Sequence, residues 1–238
     1  MSTNRRSINL ILESRRLADY ILTLNSFQVI QSKSTPEYNH IGGLFTDIVL
    51  QAGLNYKSVV LPRVKRILSL FPEAMTVSSF KGLIEEYGIE YVINWNHFIK
   101  QNRIIQLINF SEENSVDNCD DLRSFLIKPE NRMNFLEMNG FGPKTLDYCL
   151  KLLNFECVAV DRHIYSFVGL AGIPFKDYQT TKMVVEFAAD FLNISRSSLD
   201  KSIWNFMSRN EEDHYSSTTG LRKSSISQKP SVMPASQV

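Results

Sequence analysis

Apolar residues return every three or four positions along most of this chain, and that period dictates helices packed on helices. In "HIGGLFTDIVLQAG" the side chains of Ile41, Leu44, Phe45, Ile48 and Val49 fall at i, i+3, i+4, i+7 and i+8, which gathers them on one wide face. "LDYCLKLL" repeats the pattern with Leu146, Cys149, Leu150 and Leu153, and "VVEFAADFL" with Val184, Phe187, Ala188, Phe191 and Leu192. Further helices are expected over about 5–26, 58–71, 77–87, 89–108, 119–128, 130–138 and 200–209. Only "ECVAVD" alternates like a strand, and it is too short to build a sheet. The fold class expected is all-α.

The chain has 238 residues, room for one large or two small domains and a core to match. Its formal charge of +1 gives no global basic field, so a nucleic-acid binder of this composition must work through local features. Three cysteines without a CxxC pair suggest neither a disulfide framework nor a four-cysteine zinc site, and Cys149, on an apolar stripe, reads as a buried thiol. His40, His97 and His214 are dispersed without metal-ligand spacing, so no catalytic metal is expected. "MSTNRR" opens no apolar leader and no run approaches a membrane span; a soluble, intracellular protein is expected. "RRSINLILESRR" reads as the solvated face of a docking helix, and "SEENSVDNCDD" as a loop ending in Asp120 or Asp121 as a helix cap. Residues 211–238, rich in Ser, Thr, Pro and Lys, are expected to be disordered.

The chemistry concentrates in residues 137–167, "EMNGFGPKTLDYCLKLLNFECVAVDRHIYSF". "ENRMNFLEM" should be a helix, "NGFG" a turn and "PKTLDYCLKLLN" a second helix. Gly140 and Gly142 are expected to supply positive φ and close backbone approach, and Pro143 suits a first helical position, where its missing N–H costs nothing. Free amides from Gly140 to Lys144 would then point out of a helix N-terminus, and such amides bind phosphate without net positive charge. Lys144 opens the second helix, where the positive dipole end works against a protonated amine. A neutral lysine amine can form a Schiff base at a sugar C1′; a surface lysine resting on a phosphate is the plainer alternative. Asp161 follows the apolar "CVAV" and precedes a helix "RHIYSFVGLAG". It suits an N-cap, and there its carboxylate would be an anion able to stabilise a developing oxocarbenium.

"MNGFGPKT…VAVDRHI" resembles the helix-hairpin-helix and aspartate signature of the endonuclease III and 8-oxoguanine DNA glycosylase superfamily. Gly140, Gly142, Lys144, Thr145, Val160, Asp161 and His163 match the pattern, whereas Met138, Asn139, Phe141 and Leu146 depart from it. More weakly, "FTDIVLQAGLNYKSV" is similar to the family segment whose glutamine fills the gap left by an extruded base; Gln51 takes that position, or is an ordinary polar helix end. "LDKSIWNFMSRN" falls where the family has its late helix, which offers Trp204 and Phe206 as pocket-lining candidates, although both also suit the core. His163 suits an orienting or packing role.

The resemblance implies a two-lobed helical fold with a central cleft. A lobe over 38–155 would carry the hairpin (130–154), and a second over 156–210 would carry Asp161 and pack with residues 1–37. It further implies a DNA glycosylase and abasic-site lyase with Lys144 and Asp161 as catalytic residues. Gly140, Phe141, Gly142, Thr145 and Gln51 would be its DNA contacts. The partner implied is double-stranded DNA with a damaged base, an oxidised one by analogy with lysine-bearing relatives, or with an abasic site, bound by a monomer. No iron–sulfur cluster can form at the family position, since no cysteine follows Cys157; a monovalent cation on the hairpin carbonyls is the one ion implied. A monofunctional glycosylase, a non-catalytic hairpin DNA binder and a helical scaffold for protein partners are the alternatives.

Overall fold

The computed structural model describes the backbone of residues 2–32, 37–174 and 176–223, and side chains within 9–32, 37–174 and 176–209. Among the described residues every regular element is a helix. In chain order these are α1 (Ser2–Thr23), α2 (Ile41–Leu50), α3 (Leu61–Leu70), α4 (Val77–Tyr87), α5 (Ile89–Ile93) and α6 (Phe98–Glu113). There follow α7 (Cys119–Ile127), α8 (Pro129–Glu137), α9 (Pro143–Leu152), α10 (Arg162–Leu170), α11 (Tyr178–Phe191) and α12 (Arg196–Lys223), and a π-helical turn, Tyr56–Val60, leads into α3. No described helix is long and apolar enough to cross a membrane.

The core has two parts. The first gathers buried side chains from Tyr38 to Cys157 around α2, which packs on α3, α4, α6 and α9. Every residue of α2 is buried, not only the five of its predicted face. His40 starts this helix: its Nδ1 accepts the Gly43 amide at 3.0 Å and its Nε2 donates to Phe71 O at 2.9 Å. Asp47 enters the same core because three phenols meet it, Tyr38 at 2.6 Å, Tyr148 at 2.9 Å and Tyr56 at 3.2 Å. Burial pushes its carboxyl above the usual range, against the pull of those hydroxyls. Each large apolar side chain buried on α2 contributes on the order of 2 kcal/mol. An unpaired carboxylate would cancel several of these, so the hydroxyls decide whether the helix can be buried all round.

The second core combines Leu17, Ala18 and Ile21 of α1 with residues from Val158 to Ile203. α1 packs on α11, and α10 and α11 pack on α12. Phe27, Phe167 and Phe206 stack on one another with centroids 5.6–5.7 Å apart.

Between the cores, the strand-like "CVAV" is a buried, extended strap without a ladder. Side chains replace the missing strand partner. Val158 N–H donates to Glu186, Ala159 N–H to Asp200 at 2.8 Å, and Val160 N–H to the Tyr178 hydroxyl.

Several helices depart from their predicted bounds for visible reasons. The expected helix over 89–108 is broken at Asn94, whose φ of 50° is left-handed, and Arg63 and Gln101 hold the carbonyls of Asn94 and Trp95 in the gap. The α7 cap is Asn118, with Asp121 closing a capping box at the third helical position, and Ser111 lies in α6 instead of a loop. On α11 the buried stripe is Thr181, Val184, Val185, Ala188 and Ala189, while Phe191 is exposed. α12 continues through 211–223, where composition predicts disorder: its docked first half supplies the nucleus that helix growth needs. Positions 224–238 of that expected tail lie outside the described residues. Cys119, Cys149 and Cys157 are free and buried, and burial pushes the Cys119 and Cys157 thiols up to about 12.

Candidate active site

Helices α8 and α9 are joined by a tight turn in which Phe141 N–H donates to Met138 O at 3.1 Å. Gly140, at φ 86°, holds the position that a type II turn reserves for positive φ. A Cβ there would also meet the Arg103 guanidinium at 2.5 Å, the movable end of a long side chain, so it is the backbone that requires glycine. Gly142 differs from the expectation: its φ of −108° is open to any residue, and nothing lies within 4 Å of the place a Cβ would take. Its use is the open approach it leaves. Pro143 begins α9 as expected.

Among the described residues the amides of Gly140, Gly142 and Lys144 form no hydrogen bond. The Thr145 and Leu146 amides are taken up by Gly142 O at 2.9 and 3.1 Å. Three outward N–H groups and the dipole of a ten-residue helix therefore meet at one exposed turn, an arrangement suited to an anion. Phe141 does not belong to that surface, a correction to its expected DNA contact. It is buried, stands edge-on to Phe135 at 5.4 Å, and its amide is spent inside the turn. Its role is to anchor the hairpin to the first core.

Lys144 is half-buried and has no carboxylate partner among the described residues. Asp161 caps α10 as predicted, its Oδ1 accepting the amides of His163 at 2.9 Å and Ile164 at 3.0 Å. No hydrogen bond or ion pair joins Lys144 to Asp161. They are related through α9: Asp147 and Lys151 follow Lys144 at i+3 and i+7 on one face, and that face is clamped to the second core. Asp147 accepts Lys182 at 2.6 Å and Tyr178 at 2.8 Å, and Lys151 pairs with Asp200, close enough to Asp161 to feel its charge. Burial pushes the Asp200 carboxyl up, while the Lys151 ammonium and the Ala159 amide pull it back. This clamp was missed in the sequence. Its one visible signal is a pair of charged residues, Asp147 and Lys151, set among the apolar residues of α9.

Gln51 ends α2, with its side chain turned back to Ile48 O at 3.4 Å. On either side of it, the carbonyls of Val49 and Ala52 accept Lys100 Nζ at 2.6 and 2.7 Å. Burial, together with the charges of Arg103 and Lys144, lowers the Lys100 pKa to about 8. The structure thus brings Gln51, Lys100, Arg103, Gly140 and Lys144 to one surface, of which Lys100 and Arg103 carried no motif.

His163 is buried edge-on against Trp204, centroids 6.1 Å apart. Phe206 belongs to the aromatic cluster of the second core. A depression of about 410 Å³ is lined by Arg63, Glu90, Asn94, Trp95, Asn96 and His97, none of them an expected catalytic or DNA-contacting residue. Among the described residues no three His, Cys, Asp or Glu side chains are placed to hold a metal. Of the turn carbonyls, Gly142 O accepts two amides and Met138 O one. No family model, curated protein or solved structure matches the chain.

Proposed function

We propose that the chain is a DNA glycosylase with abasic-site lyase activity, acting at the α8–α9 hairpin. The observation that carries this reading is the juxtaposition of three amides, at Gly140, Gly142 and Lys144, with the Lys144 side chain, none of which has a hydrogen-bond or carboxylate partner among the described residues. The amides hold a backbone phosphate, and the nucleotide beside it leaves the stack, with Gln51 at the end of α2 filling the gap. The Lys144 amine attacks C1′ as the bond to the base breaks, and the base leaves with its bonding electrons and a proton. Ring opening gives an imine between Nζ and C1′. Loss of a C2′ proton then expels the 3′ phosphate by β-elimination, and water frees the lysine. Asp161, held by two amides on one oxygen, opposes the positive charge that grows on the sugar.

Borohydride reduction tests this directly, because it freezes the imine as a stable protein–DNA adduct. Duplexes carrying 8-oxoguanine, thymine glycol, uracil or an abasic site are incubated with the native chain, Lys144→Gln and Asp161→Asn. The expected result is an adduct that Lys144→Gln abolishes and Asp161→Asn reduces by about 100-fold or more in rate. An adduct that survives Lys144→Gln assigns the amine elsewhere, and base release without any adduct makes the enzyme monofunctional. DNA binding with neither leaves a hairpin binding module.

A further inference from the structure

Two cations outside the hairpin motif stand beside it. Lys100 and Arg103 are one turn apart on α6, and both are half-buried. The Arg103 guanidinium lies against Gly140, four residues before Lys144, and the charges of Arg103 and Lys144 both act on Lys100, so the three cations are neighbours. Among the described residues none of them is paired with a carboxylate. Such a cluster is repulsive by itself, and a bound anion would relieve it.

The geometry also orients the cluster. The bare Cα of Gly140 lets the Arg103 guanidinium lie on the turn, and none of its five N–H donors forms a hydrogen bond among the described residues. Lys100 spends two of its three ammonium protons on Val49 O and Ala52 O, which pins Nζ beside Gln51 and leaves one donor. A flat fork and a fixed point charge thus flank the hairpin amides, and phosphate oxygens are the acceptors such a pair fits.

We propose that Lys100 and Arg103, beside Lys144, bind a second DNA phosphate next to the one held by the hairpin amides. This rests on the reading that the hairpin faces DNA, but not on any catalytic step. A protein so neutral overall would then grip DNA through one local cradle.

The test is the salt dependence of binding to a labelled undamaged duplex, followed by fluorescence anisotropy. One phosphate contact is worth about 0.9 in the slope of log affinity against log salt. Between about 50 and about 200 mM salt the native chain should therefore lose about 3.5-fold more affinity than Arg103→Gln, and likewise than Lys100→Met. Arg103→Lys should restore the native slope, and Lys81→Met, whose lysine is paired with Glu112, should not change it. A native slope in Arg103→Gln overturns the proposal. So does a slope in Arg103→Lys as low as in Arg103→Gln, which would make the guanidinium a packing group on Gly140. Should Arg103→Gln show no cooperative melt, Lys100→Met decides alone. Expected slopes without any borohydride adduct would sink the catalytic reading and leave this one standing; no DNA binding by the native chain would end both.

Discussion

Gly140 and Gly142 look alike in the sequence and do different work. A residue with a Cβ at Gly140 must hold φ near 86° and displace a guanidinium, whereas at Gly142 it meets neither obstacle. Gly140→Ala should lower stability by about 1–2 kcal/mol, and Gly142→Ala by less than about 0.5 kcal/mol, as urea midpoints would show. Both should weaken DNA binding, Gly142→Ala because its methyl fills the open approach to the amides. Lys100 adds a pH dependence. Its charge is set by its own burial, by Arg103 on α6 and by Lys144 on α9. A bound phosphate favours the protonated amine, so binding is linked to proton uptake. Affinity for duplex DNA should be flat below about 8 and fall as pH rises through that value, and Lys100→Met should remove the step. An anisotropy series at fixed salt checks both. The hairpin residues were legible because glycine, proline and lysine carry their conformational and chemical constraints in their identity. Lys100 was not, because its meaning comes from carbonyls and charges supplied by α2 and α9.

The helix that carries Lys144 is held from two sides. On one, Tyr148 reaches Asp47 of α2; on the other, Asp147 and Lys151 are paired with Lys182 and Asp200. α9 is therefore fixed in rotation as well as position, since the Asp47 carboxylate on one side and Lys182 and Asp200 on the other come from different cores. Removing one member leaves a buried charge behind: Lys182→Met should cost about 3–5 kcal/mol. Asp147→Leu combined with Lys182→Met should cost less than the two single changes summed, a difference that urea denaturation of the four proteins would measure. Spacing located most helices because burial of an apolar stripe and the helical period are the same fact. It failed where a single residue decided the matter. Asn94 breaks a continuous apolar pattern by adopting a left-handed backbone, and the stripe of α11 is turned so that Val185 and Ala189 are buried instead of Phe187 and Phe191. The second choice is made by α1 lying against α11, which no local pattern encodes.

At the scale of the molecule, the chain makes one core from a continuous stretch and the other from two distant ones. The first runs from Tyr38 to Cys157; the second joins Leu17, Ala18 and Ile21 to residues beyond Val158. The all-α class followed from periodicity alone. The strap and the clamp between the cores did not, since their amides and carboxylates are satisfied across separations of tens of residues. This arrangement sets an order on biosynthesis. A ribosome releases α1 before the other helices, but α11, on which it chiefly packs, emerges about 160 residues later, on the order of 8 to 30 s at roughly 5–20 residues per second. The hairpin-bearing core can close during that interval, so a nascent chain passes through a stage with one finished half and one adhesive helix awaiting its mate.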